Sequence, residues 1–275
     1  MFKNIVKLGV IVVSVALLGL TAAALTADEI MDMVDAEADA LAEGSMISII
    51  RFDNVYGDGT SGSNLFGSLA IPNFSLIYFI EPLDVAGTIF LTHEGETDDD
   101  NARLWLYLPV LGSPKELVSE EQRGGSFAGS ALSYSDLGDR EGRADYDTVL
   151  LGEEDVVIGD QTRTAYKIES TAKPDVDVDN PRSIVWIDTE FLIMLKVESY
   201  NDLGNLDTTM DVLALGEFEG KLTTVEMLAT NHSDGSTTTI TILEQRRPGF
   251  EVSEDVFLPE NIHAFDAVLW GFAEE

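Results

Sequence analysis

The sequence predicts a mainly β fold of the α+β class: one large antiparallel sheet preceded by a single long helix. Three observations predict it. From Met46 onward the chain is a succession of short runs rich in β-branched and aromatic residues, among them SMISIIRF, FSLIYFIE, ARLWLYLPV and FLIMLKVESY, separated by turn residues. The turns are explicit at Asp58-Gly59, Leu203-Gly204-Asn205, Glu219-Gly220 and Asp234-Gly235. Runs this close leave no room for the dozen or more residues a crossover between parallel strands needs, so neighbouring strands are expected to pair antiparallel in one meander.

The elements follow in order. Lys3 and Lys7 precede an apolar run over 8–20 and the small residues Ala22, Ala23 and Ala24. That is the layout of a secretory signal peptide, residues 1–24, with cleavage after Ala24. The rival reading, an uncleaved membrane anchor, asks for a span of about 20 residues, and the run is short for that. Either way the body of the protein is expected outside the cytoplasm, soluble after cleavage. Next, Thr26 and Glu29 form a capping box, and Ile30, Met33, Val34 and Leu41 follow at near-helical spacing, which predicts a helix over 27–43 ended by Gly44. The strands then run to about residue 250, and nothing resembling a linker divides 25–259 into two domains. Residues 260–275 form a tail in which Ile262, Phe265, Leu269 and Phe272 suggest an apolar helical stripe packed on the body.

Several strand runs are apolar on both parities, as in LWLYL, SLIYFI and FLIML. A sheet wet on one side would alternate cleanly, so central strands must be covered on both faces. Packed core on both sides and an apolar cavity on one side both satisfy this.

Composition narrows the chemistry. With 45% hydrophobic residues among 275, the chain can bury a substantial core, and with no cysteine it has neither disulfides nor a sulfur-linked lipid. The 50 acidic and 16 basic residues give a net charge of −34, a surface that repels nucleic acid and anionic headgroups. A saline habitat and a merely acidic secreted protein both account for it.

Catalytic and metal-binding templates fail one by one. His93, His232 and His263 lie in separate regions with no paired-histidine spacing. Ser126 in GGSFAG lacks both the closing glycine and the βα alternation of a nucleophile elbow, and no lysine follows these glycines as a phosphate loop requires. Asp175, Asp177 and Asp179 begin like a calcium loop, but Asn180 stands where the sharp-turn glycine belongs and Trp186 where the bidentate Glu belongs. The acidic run at Asp98, Asp99 and Asp100 reads as a solvated loop. Asn231-His232-Ser233 fits a glycosylation sequon. No metal, no cofactor and no enzymatic activity are expected.

Taken together, LTADEIMDMVDA, LWLYLPVLGSPKELVSEEQRGGSFAGSALSYSDL, DYDTVLLGEE, IVWIDTEFLIMLKVESYNDLGNL and TTVEMLATNHSDGSTTTITI resemble the outer-membrane lipoprotein-sorting protein family, relatives of the periplasmic lipoprotein carrier, over about residues 25–257. The resemblance implies an open, strongly curved antiparallel sheet, an incomplete barrel covered by helices and a lid, whose concave face takes acyl chains. It implies an extracytoplasmic carrier of lipid or lipoprotein acyl chains, with a membrane lipid-export transporter as a partner. The alternative is a non-catalytic docking subunit of such a transporter. Within this frame the strand runs nominate Leu76, Tyr78, Leu104, Leu106, Trp186 and Met194 as cavity-lining, although a register error of one residue turns each to the other face. Residues 123–137 become the lid, with Phe127, Leu132 and Tyr134 resting on the sheet, either as a moving cover or as a permanently packed loop. Where family members often carry an acidic–aromatic pair, this chain has Ala131-Leu132, and Arg51 is the candidate for the carrier's lid-latching arginine.

Overall fold

The computed structural model describes residues 25–95, 102–138, 143–174, 176, 178 and 180–274. The segment expected to be a signal peptide, the acidic run 98–100, and Asp175, Asp177 and Asp179 lie outside the described residues.

The helix α1 (Ala27–Ala42) starts where the capping box places it: the Thr26 hydroxyl accepts from the Glu29 amide and the Glu29 carboxylate accepts from the Thr26 amide. Thirteen strands follow among the described residues: β1 (Met46–Val55), β2 (Ser61–Ile71), β3 (Phe74–Glu81), β4 (Ile89–His93), β5 (Arg103–Tyr107), β6 (Pro114–Glu116), β7 (Tyr146–Ile158), β8 (Gln161–Ala172), β9 (Arg182–Asp188), β10 (Met194–Tyr200), β11 (Leu206–Phe218), β12 (Lys221–Asn231) and β13 (Thr237–Arg246). They form one antiparallel sheet in the order β6-β5-β4-β3-β2-β1-β13-β12-β11-β10-β9-β8-β7. Two meanders, β1 to β6 and β7 to β13, are stitched together by the β1–β13 pair, and the sheet is a curved, incomplete barrel that does not close. Its free edges are β6 and β7. Residues 117–138 leave the β6 edge, and the glycine-rich segment within them lies against the sheet as a cover.

Cross-strand partners point to the same face. The register Ile168–Val185–Val197–Met210–Ala229–Thr238–Asn54 therefore runs along one face from β8 to β1. Helix α1 buries Ala27 and Ile30 against Ile168, Val185 and Ile187 at one end of this row. At the other end Thr238 meets the lid. Both covers thus sit on one face, the inner one.

The outer face of β1 to β5 has its own cover. Ile47, Leu69, Leu76, Leu91 and Trp105 are buried under Val252, Phe257, Ile262, Trp270 and Phe272 of the C-terminal segment. This explains the doubly apolar runs: in β5, Leu104 and Leu106 face the lid while Trp105 and Tyr107 face the tail. The tail is not one helix. It makes 3-10 turns at Glu254–Phe257 and Pro259–Ala264, and then the Asp266 carboxylate accepts from the amides of Val268 and Leu269, turning the chain. Of the expected stripe, Ile262 and Phe272 are buried, Phe265 is half-buried and Leu269 is exposed. Among the described residues no helix is long and apolar enough to cross a membrane.

Candidate functional site

The inner face carries two different things. Over β1 to β5 it is filled. Phe127, at the tip of a tight loop closed by the Ser126–Ser133 bridge and the Phe127 amide bonded to the Leu132 carbonyl at 2.8 Å, is fully buried. The loop turns on Ala128 and Gly129, both with positive φ (51° and 76°), a conformation glycine adopts freely. The Phe127 ring packs against Phe52, Phe66, Phe79, Phe90 and Tyr134 with centroids 5.4 to 6.1 Å apart. Burial pushes the Tyr134 hydroxyl pKa up. The segment is also hydrogen-bonded to the sheet. The Ala131 amide donates to Thr238 Oγ1 at 2.8 Å, Thr238 donates to Asn54 Oδ1 at 2.7 Å, and Asn54 donates to Asn64 Oδ1 at 3.0 Å, all buried. Arg123 reaches the Ala102 carbonyl at 2.9 Å. Arg51 is exposed on the opposite face of β1, so these bonds, and not Arg51, fasten the segment.

Over β10 to β12 the same face is hollow. An apolar groove of about 520 Å³ lies between α1 and the sheet, with Val34 and Leu41 on the helix side and Met210, Val212, Leu222 and Met227 on the sheet side. The first turn of α1 packs on β8 and β9, and Val34, Glu37, Ala38 and Leu41 of its later turns line the groove. The end wall is the β9–β10 turn, residues 190–194. That turn is organised by Asp188, whose carboxylate accepts from the amides of Glu190 and Phe191 at 2.9 and 2.8 Å.

Above the groove α1 is held by cations from three separate places. Arg143 donates to Asp32 and Asp35 at 2.9 and 2.6 Å, Lys221 to Glu37 at 2.9 Å, and Arg247 to the Leu41 carbonyl at 2.8 Å. Exposed pairs of this kind are each worth about 0 to 1 kcal/mol. The helix roof is therefore tethered lightly where it covers the hollow.

A second cavity, about 530 Å³, lies beside the lid and is polar, lined by Tyr56, Ser126, Ser133, Asp136, Asp207 and Asp234 among others. Its hydroxyls are used locally: Ser126 donates to the Ser130 carbonyl and Ser133 to Asp136. Size does not separate the two cavities, but composition does. The groove is the candidate for an apolar ligand.

The nominated residues divide among these places. Leu104, Leu106, Phe127, Leu132 and Tyr134 come together in one cluster under the lid. Leu76 and Tyr78 do not join them. They lie on the outer face, Tyr78 stacked on Phe265 and Phe272 at 5.8 and 6.0 Å. Trp186 also faces away from α1, between the ammonium groups of Lys167 and Lys196 at 4.7 and 4.9 Å. Only Met194 is at the groove, 52% exposed. The parity error has a physical origin: with both faces covered, inward and outward residues are equally apolar. The missed groove residues left one signal, the methionines 210 and 227, which like Met194 carry flexible thioethers that suit an adaptable apolar surface.

A family model described as an uncharacterized protein matches residues 73–264. The chain belongs to that family. Its fold is that of several solved structures. A DUF1329 family protein from Desulfovibrio piger superposes with a TM-score of 0.74 at 22% identity, over 86% of this chain and 98% of that one. An outer membrane lipoprotein-sorting protein domain, so described, from Vibrio parahaemolyticus gives 0.72 at 24% identity over 86% and 97%. A LolA superfamily protein from Nitrosomonas europaea gives 0.64 at 18% identity over 86% and 98%. No curated protein matches the sequence. The resemblance carried by the sequence segments is thus matched in three dimensions, over 86% of the chain.

Proposed function

We propose that the protein is a non-enzymatic extracytoplasmic carrier that shields acyl chains of a lipid or lipoprotein and sorts or transfers them between membranes or to a transporter. The observation that carries this reading is the apolar groove under α1, about 520 Å³, on the inner face of a LolA-like sheet. Each methylene moved there from water contributes about 0.8 kcal/mol, enough for a long chain to be held without covalent chemistry. The light tethering of α1 supplies a way in and out that does not unfold the sheet.

Mass spectrometry of organic extracts from the mature protein, purified without detergent from a bacterial periplasm, tests the reading beside a Leu41→Glu variant. Lipid in stoichiometric amount in the native protein and its loss in the folded variant is the expected result. A native protein that is folded, empty and unable to take up added lipid would replace this reading with that of a docking subunit whose interior is only core.

A further inference from the structure

The groove has a capacity, and the capacity limits the cargo. The cost of a cavity per unit volume and the transfer energy of a methylene together assign roughly 30 Å³ to each methylene. A groove of about 520 Å³ then has room for about 17 of them. That is one long acyl chain. A second or third chain would need the other half of the inner face, and there Phe127, Ala131 and Leu132 are already buried against Phe52, Phe66, Phe79 and Phe90. The lid segment stands where further chains would lie, fastened by the Ala131–Thr238 bond.

We infer that the protein is a single-chain binder: it encloses one linear acyl chain of up to about 17 carbons, as a free fatty acid or as the chain of a mono-acyl lipid, and does not enclose the several chains of a diacyl or triacyl molecule together. The inference rests on the acyl-carrier reading above and narrows its substrate class. Shape agrees with it. One helix, three strands and the 190–194 turn contribute its lining, and the apolar side chains Val34, Leu41, Val197, Met210, Val212 and Met227 run along it.

The test uses the delipidated mature protein, saturated fatty acids of graded length, lysophospholipids with the same chains, a two-chain phospholipid and a synthetic triacylated lipopeptide, with native mass spectrometry for stoichiometry and titration for affinity. One chain per protein is expected. Affinity should climb about four-fold per methylene and flatten at roughly 16 or 17 carbons. Fatty acids and lysolipids separate the two sources of such a chain, and binding of either with that plateau is the expected result. Ala38→Phe, at an exposed helix position that lines the groove and leaves the core untouched, should move the plateau to shorter chains. A rise continuing beyond about 20 carbons, two chains per protein, or tighter binding of the two-chain lipid by the same factor per added methylene would overturn the single-chain inference and leave the carrier reading standing. No binding of any chain by the folded protein would overturn both.

Discussion

Arg163 and Asp188 form a two-point ion pair, Nε to Oδ2 at 2.7 Å and Nη2 to Oδ1 at 3.0 Å, at the foot of the turn that ends the apolar groove. The Asp188 side chain is 1% exposed and the Arg163 side chain 19%, and the Asp188 carboxylate holds the amides of Glu190 and Phe191. The guanidinium lies 4.9 Å from the Phe191 ring. One pair therefore links a β8 cation, the end of β9 and the wall of the cavity.

This pair makes stability depend on acid. Burial alone would push the Asp188 carboxyl up, but the Arg163 hydrogen bonds and the two backbone amides outweigh it and hold the pKa below its ordinary value of 3.8. A depressed folded pKa contributes stability that is fully present above the unfolded value and is lost as pH falls through the folded one. Urea unfolding should show a loss below about pH 4 that is smaller in Asp188→Ala. At neutral pH that variant, which takes the acceptor from the Glu190 and Phe191 amides and leaves Arg163 with Glu190 alone, should cost about 3 kcal/mol. An unchanged acid limb in the variant would remove Asp188 from this role.

The lid segment should behave as core. Phe127→Ala empties the centre of the aromatic cluster and should cost about 4 kcal/mol in chemical denaturation. Hydrogen exchange at the Ala131 amide should be as slow as at amides in the central strands, because its partner Thr238 is buried. Fast exchange there would mean that the segment opens locally.

The tail and β2 are fitted at one glycine. A Cβ on Gly67 would fall 2.2 Å from the Phe272 ring, so Gly67→Ala should displace the C-terminal segment and cost about 1 to 3 kcal/mol. Phe272→Ala should cost less in the Gly67→Ala background than alone. A double-mutant cycle on the unfolding free energies measures that coupling, and additive effects would show that the ring yields without loss.

Salt should stabilise the fold. With a net charge of −34, self-repulsion exceeds what the scattered surface pairs return, and screening relieves it. The melting temperature should rise between about 0.05 and 1 M sodium chloride, where the Debye length falls from over 10 Å to about 3 Å. A flat or falling curve would show that the ion pairs, including those tethering α1, outweigh the repulsion.

Much of the architecture was legible. Thr26 and Glu29 announce the start of α1 because a capping box is a contact between residues three apart, and the Asp-Gly and Gly-Asn turns announce strand ends for the same local reason. That the strands pair antiparallel follows from the short connections. The family resemblance then carried the shape of the sheet and the presence of a cover at residues 123–137.

The groove was not legible. Leu76 and Leu104 sit in equally apolar runs, yet one lies under the tail and the other under the lid, since each strand of that half is covered on both faces. Sequence by itself determined the first helix, the strand runs and the turns between them, though not the folded form of the tail, because those depend on neighbours a few residues away. Only the tertiary structure decided which face is inner, that the lid fills half of it, and that the hollow lies where residues 34–41, 190–197 and 210–227 meet, because parity and empty space are set by contacts between residues far apart in the chain.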